Sequence, residues 1–153
     1  FDVTGWSRSA KQAEGITCRH GPKGLIAALT DAEIVILLLP DTPATENTLN
    51  ADTLALLPKG TKIINPGRGP LIDDKALLAA LDSGQIAFAM MDVFHVEPLP
   101  EDHPYWSHPK VTVTPHVASL TPPETSAPQV AENIMRMRKG EPLLNQVDPK
   151  RGY

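Results

Sequence analysis

The chain has 153 residues, of which 41% are hydrophobic and 21% charged, as in an ordinary globular domain large enough to bury one core. A formal net charge of −4 argues against binding to nucleic acid or anionic membrane, and the run IVILLLP is far too short to span a bilayer. A single cysteine, Cys18, argues against a disulfide scaffold and fits a reducing compartment such as the cytoplasm.

Three strands and two helices are predicted in the first half of the chain. Residues 1–6 alternate apolar and polar side chains, as a strand does, and 16–19 form a second short strand. Apolar residues within 25–29 share one face of a helix. The continuous apolar run 34–39 is typical of a strand buried on both faces of a parallel sheet. Asn50 then caps a short helix.

The second half continues the alternation of strands and helices. A strand is predicted at 62–65, followed by a helix that Asp73 caps and Gly84 ends. Strands follow at 86–94, where both methionines, Met90 and Met91, are interpreted as core residues, and at 111–114.

The last helix has conflicting signals at its start. Thr121 and Glu124 have the spacing of a capping box. Pro128 would break a helix that is already running, so we expect a new start near Ser126. Gly140 ends the helix, and the polar tail after it is expected to be irregular.

Strands that alternate with short helices predict an α/β fold with a doubly wound, Rossmann-like parallel sheet. Because the chain opens with Phe1 inside a strand, we expect the fold to be incomplete at its N-terminus. In such sheets, ligands bind outside the carboxyl ends of the strands. Side chains just after each strand are therefore the candidates for a site.

The stretch IINPGRGPLID places Arg68 between Gly67 and Gly69 at a predicted strand end. Glycine permits positive φ or close backbone approach, and the planar guanidinium of arginine binds carboxylates through two hydrogen bonds. Glu97 and His116 follow the next two predicted strands. A carboxylate beside a histidine favours the imidazolium, so the three residues predict proton transfer beside an anionic substrate.

Taken singly, each of these residues is more typical of a solvated loop or a surface ion pair, and only their convergence favours function. Two other pairs, Cys18 with His20 and His103 with His108, lack a recognised zinc spacing, so no metal site is predicted. His95 is interpreted as a surface-loop residue.

The sequence from residue 1 to about 121 resembles the D-isomer-specific 2-hydroxyacid dehydrogenases. The likeness rests on three motifs in order: N-x-x-R-G around Arg68, D-V-F-x-x-E-P around Glu97, and T-P-H at His116. WSRS near the start and VDPKRGY at the end are most similar to the glyoxylate/hydroxypyruvate reductase branch. More loosely, the resemblance continues to the end of the chain.

This resemblance implies roles for four residues. Arg68 would bind the carboxylate and the carbonyl of a small 2-keto acid, glyoxylate or hydroxypyruvate. His116 would protonate the carbonyl oxygen, Glu97 would hold His116 protonated and oriented, and Asp92 would hydrogen-bond the nicotinamide carboxamide. The resemblance also implies a cytoplasmic homodimer.

The first strand end bears on the choice of dinucleotide. Sites that prefer NAD usually carry Asp or Glu here, whereas this chain has Ser7, Arg8 and Ser9. A guanidinium with two hydroxyls suits a 2′-phosphate, so NADPH is predicted over NADH. The alternative is that Arg8 is a solvated loop cation. The other predicted cofactor-binding residues are Leu39, Pro40, Pro66 and Gly67.

The resemblance further implies two parts: residues 1–120 as the C-terminal part of a dinucleotide-binding domain, and 121–153 as a helix and tail that return to a substrate domain. The glycine-rich turn that cradles pyrophosphate is expected before Phe1, so the isolated segment is expected to bind dinucleotide poorly. An alternative function is a corepressor-like module of the same fold that senses dinucleotide, because fold alone does not decide function.

Overall fold

The computed structural model describes residues 1–148; residues 149–153, the end of the predicted irregular tail, lie outside the described part. The strands are β1 (Thr4–Ser7), β2 (Thr17–His20), β3 (Ile34–Ile36), β4 (Thr61–Asn65), β5 (Ile86–Met91) and β6 (Val111–Val113). The helices are α1 (Gly21–Thr30), α2 (Ala51–Ala55), α3 (Asp74–Asp82) and α4 (Pro123–Lys139). Short 3₁₀ helices span Gly69–Leu71 and Pro104–Trp106.

All strand pairings between these elements are parallel. β1 pairs with β2, and β3, β4, β5 and β6 lie side by side in chain order in a second sheet. Parallel neighbours require crossover connections, which α3 and the loops between strands provide. The predicted α/β, Rossmann-like parallel fold is confirmed.

The core lies where β4 and β5 meet α3 and the segment before it. Ile63, Leu77, Leu81 and Ile86 are fully buried there. Burial of each such side chain contributes about 1.5–3 kcal/mol relative to exposure. This packing fixes the positions of the β4 and β5 ends, after which the polar loops begin.

The prediction for residues 34–39 was wrong in length and in burial. β3 ends at Ile36, although the amide of Leu37 still donates to the Ile64 carbonyl at 3.0 Å. Ile34 is 41% exposed and Ile36 55%, whereas Leu37 is buried. One face of β3 therefore packs on the core and the other stays open, because no described element covers it.

Smaller differences occur at other strands. β1 begins at Thr4 rather than at Phe1. β5 ends at Met91, before the loop that carries Glu97. Met91 is buried as predicted, but Met90 is 36% exposed, since successive side chains of a strand point to opposite faces.

Local hydrogen bonding confirms the predicted helix ends. Asn50 caps α2, and the Thr53 side chain completes a capping box with it. Asp73 caps α3 by accepting from two backbone amides, and Gly84 follows the helix with a φ of +77°. Each cap satisfies donors that a helix terminus leaves unpaired.

The start of α4 differs from the prediction. The helix begins at Pro123 rather than near Ser126, with Pro122 at the N-cap and no capping box. Pro128 lies inside it, where it removes a single backbone hydrogen bond near the N-terminus. A proline at the first helical position is favourable because its ring already fixes φ near the helical value. Gly140 ends the helix as predicted.

Candidate active site

The turn that carries Arg68 is held by the last residue of β4. Asn65 is fully buried, and its side-chain amide donates to the Arg68 carbonyl at 2.9 Å. Its side-chain oxygen accepts from the Gly67 amide at 3.1 Å. Asn65 therefore bridges both sides of the turn, and the exposed Arg68 guanidinium projects from a fixed backbone.

The two glycines beside Arg68 permit close backbone packing rather than a left-handed turn. A Cβ on Gly67 would lie 2.8 Å from the Leu37 carbonyl oxygen. A Cβ on Gly69 would lie 2.0 Å from the carbonyl carbon of Phe94. Neither position has room for a side chain, so both glycines bring the Arg68 turn against neighbouring strand ends.

Glu97 and His116 form a direct pair at the ends of β5 and β6. Nδ1 of His116 lies 2.7 Å from Oε2 of Glu97, while Oε1 of Glu97 accepts from the Phe94 amide at 3.0 Å. A carboxylate only accepts hydrogen bonds, so Nδ1 carries the proton in this contact. Nε2 is then the nitrogen of His116 that is left for a substrate.

Asp92 positions the turn that presents His116. The backbone at His116 is left-handed, with a φ of +52°, and its amide donates to the Asp92 carbonyl at 2.9 Å. The buried Asp92 carboxylate accepts from the Thr114 hydroxyl at 2.5 Å and the Val117 amide at 3.0 Å on one oxygen. Its other oxygen accepts from the Ala118 amide at 2.9 Å.

Hydrogen bonding keeps Asp92 ionised although it is buried. Burial by itself raises the pKa of Asp92, but the donors from the Thr114 hydroxyl and the next backbone amides, together with the charge of His116, lower it below the ordinary value. The Asp92 carboxylate is therefore ionised where it holds the His116 turn.

Arg68 acts electrostatically on Glu97. The pKa of Glu97 is lowered, chiefly by its hydrogen bond with His116, and the Arg68 charge contributes to the same shift. Desolvation opposes this shift without reversing it. A cation, a carboxylate and an imidazole thus share one edge of the sheet, as the strand-end argument predicted.

The predicted dinucleotide residues also follow strand ends. Ser7 ends β1, and its hydroxyl donates to the Ser9 carbonyl at 2.8 Å, with the exposed Arg8 between them. The Pro40 carbonyl accepts from the Thr45 hydroxyl at 2.6 Å, which fixes the turn after β3. Leu39, Pro66 and Gly67 are half-buried. A cation flanked by two hydroxyl groups at the β1 end fits a phosphorylated ribose.

The sequence does not reveal two residues that hold the site. Asn65 belongs to the N-x-x-R-G motif and Thr114 to a predicted strand, and neither pattern indicates a hydrogen-bonding role. His95 was interpreted as a plain loop residue, but its Nε2 lies 2.9 Å from the Ile72 carbonyl oxygen. Within residues 1–148, no three His, Cys, Asp or Glu side chains are grouped to hold a metal ion, and no helix is long and apolar enough to cross a membrane.

A family profile matches this arrangement over most of the chain. The profile of the D-isomer specific 2-hydroxyacid dehydrogenase, NAD binding domain, covers residues 1–118. The chain belongs to the D-isomer-specific 2-hydroxyacid dehydrogenase family. The resemblance found in the motifs is thereby confirmed.

Relatives in sequence and structure agree with this assignment. Glyoxylate/hydroxypyruvate reductase A of Yersinia enterocolitica is 44% identical over all 153 residues, which span 49% of that protein. A D-isomer specific 2-hydroxyacid dehydrogenase of Xanthobacter autotrophicus, solved with NADPH and MES, is 56% identical with a TM-score of 0.96. The match covers this whole chain and 63% of that one.

A third relative is the NADPH-dependent glyoxylate/hydroxypyruvate reductase of Sinorhizobium meliloti, solved with NADP and sulfate. It is 37% identical with a TM-score of 0.93, and the match covers 100% of this chain and 50% of that one. The chain thus spans about half the length of the curated relative and of this structure.

Proposed function

We propose that this chain carries the catalytic and cofactor-binding residues of an NADPH-dependent reductase that converts glyoxylate or hydroxypyruvate to the 2-hydroxy acid. The observation that supports it most strongly is the 2.7 Å contact between His116 Nδ1 and Glu97 Oε2, within the field of Arg68. A proton donor next to an anion-binding cation is what reduction of a 2-keto acid requires.

Each of the three residues has one task in this proposal. Arg68 binds the substrate carboxylate with its guanidinium fork and orients the adjacent carbonyl. His116 delivers a proton from Nε2 to the carbonyl oxygen, and Glu97 orients the imidazole through its contact with Nδ1. Asp92 supports the His116 turn, and its contact with the nicotinamide carboxamide stays a prediction.

The β1 end carries the proposed preference for NADPH. Ser7, Arg8 and Ser9 would hold the 2′-phosphate, and Leu39, Pro40, Pro66 and Gly67 would line the dinucleotide. When bound, the dinucleotide supplies the hydride. The chain's own residues supply orientation, charge and the proton.

The test is the loss of NADPH absorbance with glyoxylate, using the native polypeptide that carries residues 1–153. His116→Ala should lower kcat by about 10²–10⁴-fold, the usual contribution of general acid–base catalysis, with NADPH affinity unchanged. Lys59→Ala, an exposed side chain before the amino end of β4, is the control and should retain activity. NADPH binding without turnover of either keto acid by the unmutated protein would instead support the corepressor-like module.

The proposal extends to the organisation of the protein. Residues 121–153, which include α4, would connect back to a substrate domain, and the protein would act as a cytoplasmic homodimer. Light scattering of the native polypeptide tests the dimer directly: a mass of one subunit would contradict it.

A further inference from the structure

The two segments that carry the proposed catalytic residues Arg68 and Glu97 touch each other through their backbones. We call residues 66–72 the Arg68 segment and residues 92–98 the Glu97 loop. A Cβ on Gly69 would lie 2.0 Å from the carbonyl carbon of Phe94 and 2.5 Å from the His95 amide nitrogen. The two backbones are therefore in direct contact, with no space for a side chain between them.

The His95 side chain adds a hydrogen bond between the same two segments. Its Nε2 lies 2.9 Å from the carbonyl oxygen of Ile72, a fully buried residue that ends the Gly69–Leu71 3₁₀ helix. A carbonyl only accepts hydrogen bonds, so Nε2 is the protonated nitrogen. Asn65 holds one end of the Arg68 segment, and His95 holds the other.

We propose that His95 is a positioning residue for the reduction, which sets the spacing between the Arg68 guanidinium and the Glu97–His116 pair. This inference rests on the proposed function. His95 lies two residues before Glu97, and its acceptor lies four residues after Arg68. The tether thus joins the backbone that binds substrate to the backbone that orients the proton donor.

The surroundings of His95 indicate that this tether does not depend on its own charge. Asp74 Oδ1 lies 3.9 Å from His95 Nε2, and Asp74 Oδ2 lies 3.6 Å from His103 Nε2. The Tyr105 hydroxyl donates to Asp74 Oδ1 at 2.7 Å. The Nε2 proton is present in the neutral tautomer and in the imidazolium alike. The Ile72 hydrogen bond therefore survives protonation.

Two amide substitutions at position 95 separate the effect of side-chain length from the effect of side-chain polarity. In His95→Gln the side-chain nitrogen lies close to the place of Nε2 and still donates to the Ile72 carbonyl. In His95→Asn the side-chain nitrogen lies near the place of Nδ1, too far from the Ile72 carbonyl oxygen to donate to it. His95→Ala removes the donor altogether, and Lys59→Ala, before the amino end of β4, serves as the control for loss of an exposed side chain.

We expect the Asn and Ala variants to lose about 10–100-fold in kcat/KM for glyoxylate, because misplacement by about 1 Å costs up to that much. The loss should include both a lower kcat and a higher KM for the keto acid, with the KM for NADPH unchanged. His95→Gln should keep kcat/KM for glyoxylate within about threefold of the value for the unmutated enzyme. The ratio of the two kcat/KM values should not change with pH, because both side chains keep their donor. Equal losses in Gln and Asn, or no loss in Asn and Ala, would overturn the proposal.

A second measurement separates this inference from the proposed function. Turnover by the unmutated protein tests the reductase assignment alone. ¹⁵N NMR of the imidazoles tests the hydrogen bond to Ile72 without an activity assay. We expect the Nε2–H tautomer for His95 at high pH. An Nδ1–H tautomer would overturn the tether even if the enzyme is active.

Discussion

Replacement of Asp92 by Asn would test how the His116 turn is held. The carboxylate uses both oxygens, one for Thr114 and Val117 and the other for the Ala118 amide. An amide has one oxygen, so in either orientation its NH₂ group faces a backbone N–H. At least one charge-assisted hydrogen bond is lost in a site where Asp92 is only 3% exposed.

The expected loss of stability is about 2–4 kcal/mol. A hydrogen bond to a charged group contributes about 1.5–3 kcal/mol, and a buried N–H left without an acceptor adds a desolvation cost of about 1–3 kcal/mol that partial relaxation reduces. Because the His116 backbone is left-handed, the turn should relax and move Nδ1 away from Glu97.

Asp73→Asn is the matched control, since it makes the same chemical change. Asp73 accepts from the Lys75 and Ala76 amides through one oxygen, and Asn is as good an N-cap as Asp. Urea unfolding of the native polypeptide, followed by circular dichroism, gives the two free energies, and 340 nm assays give the activities. Equal effects of the two substitutions would refute the reasoning.

Three further predictions concern charge. Arg8→Asp should reduce the preference for NADPH over NADH by about 10–100-fold, the value of a charge-assisted hydrogen bond, and unchanged relative kcat/KM values would contradict the 2′-phosphate assignment. Arg68→Lys should lower kcat/KM for glyoxylate by a similar factor because the planar fork is lost; full activity would exclude bidentate binding. Since the fold lowers the pKa of Glu97 from 4.5, its stabilisation is complete above that pH and is lost as the pH falls through the folded value. Glu97→Gln should therefore lose less stability than the unmutated protein on acidification, as thermal melting at several pH values would show.

Local patterns were sufficient to predict most of the elements and the strand ends that Arg68, Glu97 and His116 follow. The caps Asn50 and Asp73 were predictable because their side chains bond amides two or three residues away. Arg68, Glu97 and His116 were predictable because each follows an apolar strand, and parallel strands end at one edge.

What the sequence could not predict depends on contacts between distant residues. The partners of Asp92 lie 22 to 26 residues along the chain, and Ile72 lies 23 residues from His95. The exposed face of Ile36 depends on what covers β3, which an apolar run does not reveal. The effect of Pro128 could not be predicted because it depends on the distance of the proline from the helix start.

The most direct test of the site is a crystal structure of the native polypeptide with NADPH and oxamate, an unreactive analogue of a 2-keto acid. We predict that the oxamate carboxylate contacts the Arg68 guanidinium and that its amide-bearing carbonyl lies within hydrogen-bond distance of His116 Nε2. Oxamate bound elsewhere, or a dinucleotide whose nicotinamide end lies away from His116, would contradict the account.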